Sequence, residues 1–195
     1  MSKSSKGSEF EREVCKRFSE WWTEGERDDV FWRSATSGGR AKARGRAGKS
    51  THGQHGDIAA TDPIGQPLID LFTIELKRGY PYTSVQDLMD SSTKTKLEWE
   101  AWYLQVAESK DMAGSASWMM ITKKDRRRAL VLLPSGLLSF LLKKVVVPFL
   151  QFRAQIKERK ETIQVSSIRL DDFLTYIKPD DIVQALEHWQ RKKLC

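Results

Sequence analysis

Apolar positions recur at helical spacing over residues 8–24, where Phe10, Val14, Phe18, Trp21 and Trp22 share one side. Ser8 is placed to cap this helix and Gly25 to end it, leaving residues 1–6 as a tail. VFWRSAT, 30–36, has strand composition. Residues 38–56 then lose all apolar period and read as a long glycine-rich loop. GDIAATD, 56–62, predicts a short strand, the Asp62-Pro63-Ile64-Gly65 segment a turn, and PLIDLFTIELK, 67–77, a second strand paired with the first as a hairpin. Residues 84–112 predict one or two helices, with Leu97, Trp102, Leu104 and Val106 on the apolar side. SWMMITK, 117–123, and RALVLLP, 128–134, predict two strands joined at a charged turn, Lys124–Arg127.

Residues 135–195 read as mostly helical, with a short strand-like VVVPF. LDDFLTY and PDDIVQALEHWQRKK each place paired aspartates near a helix N-terminus, where the helix dipole favours them. Helices alternating with strands around one sheet predict an α/β domain with a central mixed β-sheet flanked by helices. Residues 1–134 form its core. Residues 135–195 form a helical extension packed on it, within the same domain or as a small appendage.

Composition narrows the function classes. The net charge is +7 with a pI near 9.4, a balance that suits a polyanionic partner. Two cysteines, Cys15 and Cys195, form neither a disulfide framework nor a metal cluster. With no apolar segment at the N-terminus to serve as a secretory signal, a cytoplasmic protein is expected. The most hydrophobic stretch, 129–142, is broken by Pro134 and Gly136 and falls short of the roughly 20 residues a membrane span needs, so it reads as core.

The stretch TIELKRG, 73–79, carries the chemistry. In a strand Thr73, Glu75 and Lys77 share one face, while Ile74 and Leu76 face the other and anchor it in the core. A structural salt bridge would account for Glu75 and Lys77 alone. Pairing with the preceding strand, however, brings Asp57 to the Glu75 end. Two adjacent carboxylates repel unless a cation sits between them, and Mg²⁺ takes one or two carboxylates plus waters and phosphate oxygens. Lys77 beside such an ion suits water positioning and stabilisation of developing charge.

Around this site four motifs stand in order. Lys6, Gly7, Glu11, Arg12 and Glu13 open the first helix; Arg33, Ser34 and Ala35 close the next strand; Asp57 and then Glu75-Leu76-Lys77 follow. This series resembles the PD-(D/E)xK nuclease superfamily, and its N-terminal half is similar to the archaeal-type Holliday junction resolvases, over roughly residues 6–133. The resemblance implies a restriction-endonuclease-like core and a Mg²⁺- or Mn²⁺-dependent DNA endonuclease. It implies Glu11, Asp57, Glu75 and the backbone carbonyl of Leu76 as metal ligands, with Lys77 completing the catalytic set. Arg12, Arg33 and Ser34 would hold backbone phosphates, and a glutamine after the strand, Gln105 or Gln86, would join the site. Two features depart from that pattern: the loop 38–56 is much longer, and the last 60 or so residues have no counterpart.

Other residues fit around this expectation. Arg40, Lys42, Arg44, Arg46 and Lys49 make the long loop basic and predict contacts to DNA phosphates. His52 and His55 lack the cysteine partners of a zinc site, which leaves a phosphate contact, a general base or a plain loop residue. Trp21, Trp22, Trp102 and Trp118 are expected in the core, and Arg126, Arg127 and Arg128 in a hairpin turn that extends the DNA footprint. Branched or junction DNA is the first expected substrate, cut by a homodimer, in a phage, a mobile element or a cell. The alternatives are a nuclease for ordinary duplex or DNA ends, and a non-catalytic DNA-binding module on a nuclease fold.

Overall fold

The computed structural model describes residues 3–34, 55–79, 98–143 and 145–194. Ala35, the basic residues from Arg40 to Lys49, His52, Gln86 and Leu97 lie outside the described residues. The opening helix α1 runs Lys3–Trp22, five residues ahead of the expected start at Ser8. Its first turns are tied down rather than frayed: Lys6 Nζ donates to Asp125 Oδ2 at 2.7 Å, and Arg78 reaches the Lys6 carbonyl. The expected stripe is realised, with Phe10, Val14 and Phe18 fully buried and Trp21 and Trp22 packed beside them.

Strands β1 (Phe31–Arg33) and β2 (Ile58–Ala60) pair antiparallel as a separate two-stranded sheet. The hairpin expected between 56–62 and 67–77 is therefore replaced. A 3-10 turn, Pro63–Gly65, leads into a short helix α2, Gln66–Leu71, and only then into strand β3, Phe72–Arg78. Pro67 lies in the first turn of α2, where its missing N–H is not needed. Leu68, Ile69 and Leu71 are buried while Asp70 stays exposed, so the apolar run is divided between helix and strand.

Helix α3 (Glu98–Ala113) crosses from β3 to β4 (Ser117–Lys123), which lies parallel to β3, as a crossover connection requires. β5 (Leu130–Pro134) returns antiparallel across the charged turn, whose Arg126 has φ +60°. Helix α4 (Ser135–Leu141) follows. The VVVPF segment is irregular rather than extended; Pro148 within it cannot donate to a ladder. The strands of this region come later, as β6 (Leu150–Ile156) and β7 (Glu161–Arg169), with β7 inserted beside β5. Phe152, Ala154 and Ile156 alternate with exposed polar neighbours along β6, a period-two signal. Helices α5 (Leu170–Tyr176) and α6 (Pro179–Leu194) carry the paired aspartates in their first turns, as expected.

The result is a five-stranded mixed sheet in the order β3-β4-β5-β7-β6, with helices on both faces. Residues 135–195 supply three helices and two strands of this same sheet. One face buries Ile74, Leu76, Met119, Ile121 and Val131 against α1, α2 and α4–α6. The other buries Met120, Leu132 and Phe152 against Trp99, Trp102 and Val106 of α3, with Trp118 in the same cluster. Each fully buried large side chain contributes roughly 1.5–3 kcal/mol, so Phe72, Ile74 and Leu76 pin β3 from the α1 face, and its α3 face carries Thr73, Glu75 and Lys77. It is also an edge strand, and its free edge is where chemistry can be presented.

Candidate active site

Three parts of the chain converge on the free edge of β3. The Asp57 N–H donates to the Ile74 carbonyl at 2.7 Å, and the Leu76 N–H donates to Asp57 Oδ2 at 2.7 Å. Asp57 thus reaches the Glu75 end of the strand through two bonds rather than through a ladder. The other end of the segment is fixed by Ser34, whose N–H donates to the Asp57 carbonyl at 3.0 Å and whose hydroxyl donates to the Gly56 carbonyl at 2.7 Å.

Gly56 makes this approach feasible. It has φ +86°, and a Cβ there would stand 2.8 Å from the Ile74 oxygen and 3.1 Å from its nitrogen. The sequence marks Gly56 as the junction of the long loop 38–56 and the strand expected over 56–62, immediately ahead of a site aspartate. Gly56→Ala is expected to lower stability by roughly 2–4 kcal/mol through backbone strain and overpacking. Denaturant titration reads that loss, and an unchanged midpoint would show that Asp57 is not held this closely.

Glu75 and Lys77 face α3. Lys77 Nζ donates to Glu75 Oε1 at 2.6 Å and to Gln105 Oε1 at 3.2 Å, and Gln105 Nε2 in turn donates to Glu75 Oε1. The same-strand salt bridge is therefore made, because the lysine stem spans the i,i+2 gap of about 6–7 Å and Gln105 braces both ends. Glu75 is 3% exposed and Asp57 9%. From α1, Glu11 pairs with the Arg33 guanidinium. Arg12 is exposed on the same helix, and His55 is buried just ahead of Gly56, with burial holding its pKa below the ordinary value.

Charge balance separates the three carboxylates. Glu11 has Arg33 and Glu75 has Lys77, whereas among the described residues the Asp57 carboxylate is bonded by the Leu76 backbone N–H and by no cationic side chain. Burial, and then the neighbouring Glu75 charge, push Asp57 up to about 7 against the lowering effects of the Leu76 N–H and Lys77. The same charges reach Cys15 behind the site, where burial and Glu11 push the thiol up to about 12.

Among the described residues no group of three His, Cys, Asp or Glu side chains is gathered closely enough to hold an ion. Glu11 and Glu75 are engaged by cationic side chains instead. The donor set nevertheless fits a divalent cation. Its donors are all oxygens, its unrelieved charge is negative, and it offers a backbone acceptor. In a strand the N–H and C=O of one residue project from the same edge, so the Leu76 carbonyl lies on the edge that its N–H presents to Asp57. Of the expected residues, the structure brings together Asp57, Glu75, Leu76, Lys77 and Gln105. Glu11 and Arg33 adjoin them as an ion pair, and Ser34 serves as a brace.

Over residues 2–184 the chain matches the model of a family described as phage putative PDDEXK endonuclease. No curated protein and no solved structure matches it. Among the described residues no helix is long and apolar enough to cross a membrane.

Proposed function

We propose, from the premise that the chain belongs to this phage PDDEXK endonuclease family and is a nuclease, that it hydrolyses DNA phosphodiester bonds with a divalent metal, Mg²⁺ or Mn²⁺. We further propose branched or junction DNA as the substrate and a homodimer as the acting form. The observation that carries the reading is Asp57 hydrogen-bonded across the free edge of β3 beside Glu75 and Lys77.

Asp57, Glu75 and the Leu76 carbonyl would hold the metal, with Glu11 joining them from α1 when released from Arg33. A bound divalent cation supplies polarisation of the phosphate and a lowered pKa for water. Lys77 then does two things for the chain: it holds Glu75 in place, and its one remaining N–H donor would face a phosphate oxygen as negative charge develops. Gln105 fixes the lysine head. Arg33, freed from Glu11, and exposed Arg12 would take backbone phosphates, as would the basic residues Arg40, Lys42, Arg44, Arg46 and Lys49.

A panel of four-way junction, flap, single-stranded and linear duplex DNAs, each with Mg²⁺ or Mn²⁺, tests the substrate. Junctions and flaps are expected to be cut at least tenfold faster than linear duplex. Equal rates on all substrates would contradict structure specificity, and mass in solution of one chain with full junction activity would contradict the dimer.

A further inference from the structure

A second site lies on the face of the sheet that carries Glu75 and Lys77. A groove there is floored by Trp99, Trp102, Leu130, Leu132 and Phe152 and rimmed by the cationic turn. Strand register connects the two places. Lys77 pairs with Thr122, Thr122 with Leu130, and Leu130 with Arg169, so these side chains share one face in one row. Thr122 already lines the groove. Adjacent strands stand about 4.8 Å apart, so Leu130 and Arg169 lie about 10–14 Å from the catalytic lysine. At a rise of about 3.4 Å per nucleotide that distance is three to four nucleotides of duplex, and fewer of an unstacked strand.

The groove has the chemistry of a nucleobase site. Among the described residues, its lining includes Lys124, Arg126, Arg127, Arg128 and Arg169 and no acidic side chain. Arg128 and Arg169 are held by Asp171 and Asp172 of α5, while Arg126 and Arg127 stand exposed on the turn. The apolar floor continues to Leu150, which is left 43% exposed. Trp99 supplies an independent sign of a ligand: the residue is 3% exposed, and among the described residues its indole N–H has no hydrogen-bond acceptor. A buried donor left unpaired costs about 1–3 kcal/mol, and a small turn of the Trp99 ring at the groove floor would bring the N–H to a carbonyl or ring nitrogen of a base seated there.

We propose that this groove captures an unstacked nucleobase of the strand being cut, with its flanking phosphates on Arg126 and Arg127. The inference rests on the nuclease reading and gives it a substrate class: DNA with unpaired nucleotides a few positions from the scissile bond. Helix α3 then joins the two sites, since Gln105 braces Lys77 while Trp102 and Trp99, one and two turns earlier, floor the groove.

Binding of a flap DNA carrying the fluorescent base 2-aminopurine at successive unpaired positions tests this without cleavage, in metal-free buffer. Quenching is expected at one or two positions only. Arg126→Asn/Arg127→Ala keeps a residue that tolerates the positive φ and is expected to weaken flap binding about tenfold while weakening fully paired duplex less than about threefold. Trp99→Phe, which keeps an aromatic floor but removes the N–H, is expected to weaken flap binding about fivefold with duplex binding unchanged. Equal losses for flap and duplex, or no position-dependent quenching in a protein that binds and cuts DNA, would overturn the groove and leave the nuclease reading standing. A folded protein that neither binds nor cuts any DNA would overturn the nuclease reading itself.

Discussion

Asp57→Asn is expected to melt roughly 5–10 °C above the wild type at pH 8 without metal, while its cleavage falls about a thousandfold. The two effects have one cause. Asp57 goes from an ordinary value of 3.8 to about 7 in the fold, because burial and Glu75 both oppose its charge. A carboxyl raised in this way is favoured in its protonated form by the native state. The native state therefore binds more protons than the unfolded chain between pH 4 and 7, and stability falls as pH rises through that window. By pH 8 the full penalty is present, on the order of 4 kcal/mol. Asparagine removes the charge and retains an oxygen for the Leu76 N–H, so it removes most of that penalty. Its advantage should shrink by more than half at pH 5, where native Asp57 is already neutral. Thermal melts at pH 5 and 8 read the sign directly, and a variant less stable than wild type at both would show that Asp57 is compensated in the fold. Added Mg²⁺ or Mn²⁺ should raise the wild-type melting temperature at pH 8 by the ordinary mass-action relation and leave Asp57→Asn nearly unmoved.

Lys77→Ala should behave oppositely in stability and alike in activity. It removes the cation from a glutamate whose side chain is 4% exposed, and leaves that carboxylate beside Asp57. Breaking a buried pair by deleting one partner typically costs 3–5 kcal/mol; Gln105 still donates to Glu75, so about 2–4 kcal/mol is expected here. Cleavage should fall by about 10²–10³, the range for losing one preorganised donor to developing charge. The double variant Asp57→Asn/Lys77→Ala should be less destabilised than the sum of its parts, because the repulsion that Lys77 relieves is already gone. Additive stabilities would separate the two residues and contradict a shared charge cluster.

Much of this site was legible because strand alternation is strict. Once TIELK is a strand, Glu75 and Lys77 must share a face and Ile74 and Leu76 must anchor it. The order of the four motifs then brought Glu11, Arg33 and Asp57 toward the same edge. What the chain hid was tertiary. Nothing local separates the helix Gln66–Leu71 from the strand that follows, since an uninterrupted apolar run suits either element. Strand Leu150–Ile156 does alternate, but its inward set is only Phe152, Ala154 and Ile156, and in Glu161–Arg169 the buried neighbours Val165 and Ser166 break the period. The i,i+2 ion pair follows from alternation, but its brace, Gln105, lies 28 residues away in sequence. The groove on Trp99 requires knowing that four strands line up in register, which no single segment states.

The most direct test of the account is cleavage of a four-way junction by wild-type and Asp57→Asn proteins at equal concentration, across a titration of Mg²⁺ or Mn²⁺. Metal-dependent cutting by the wild type, lost in a variant that melts higher at pH 8 and still binds the junction, is the predicted result. Equal cutting by both proteins, or junction binding by the wild type with no cutting at any metal concentration, would contradict it.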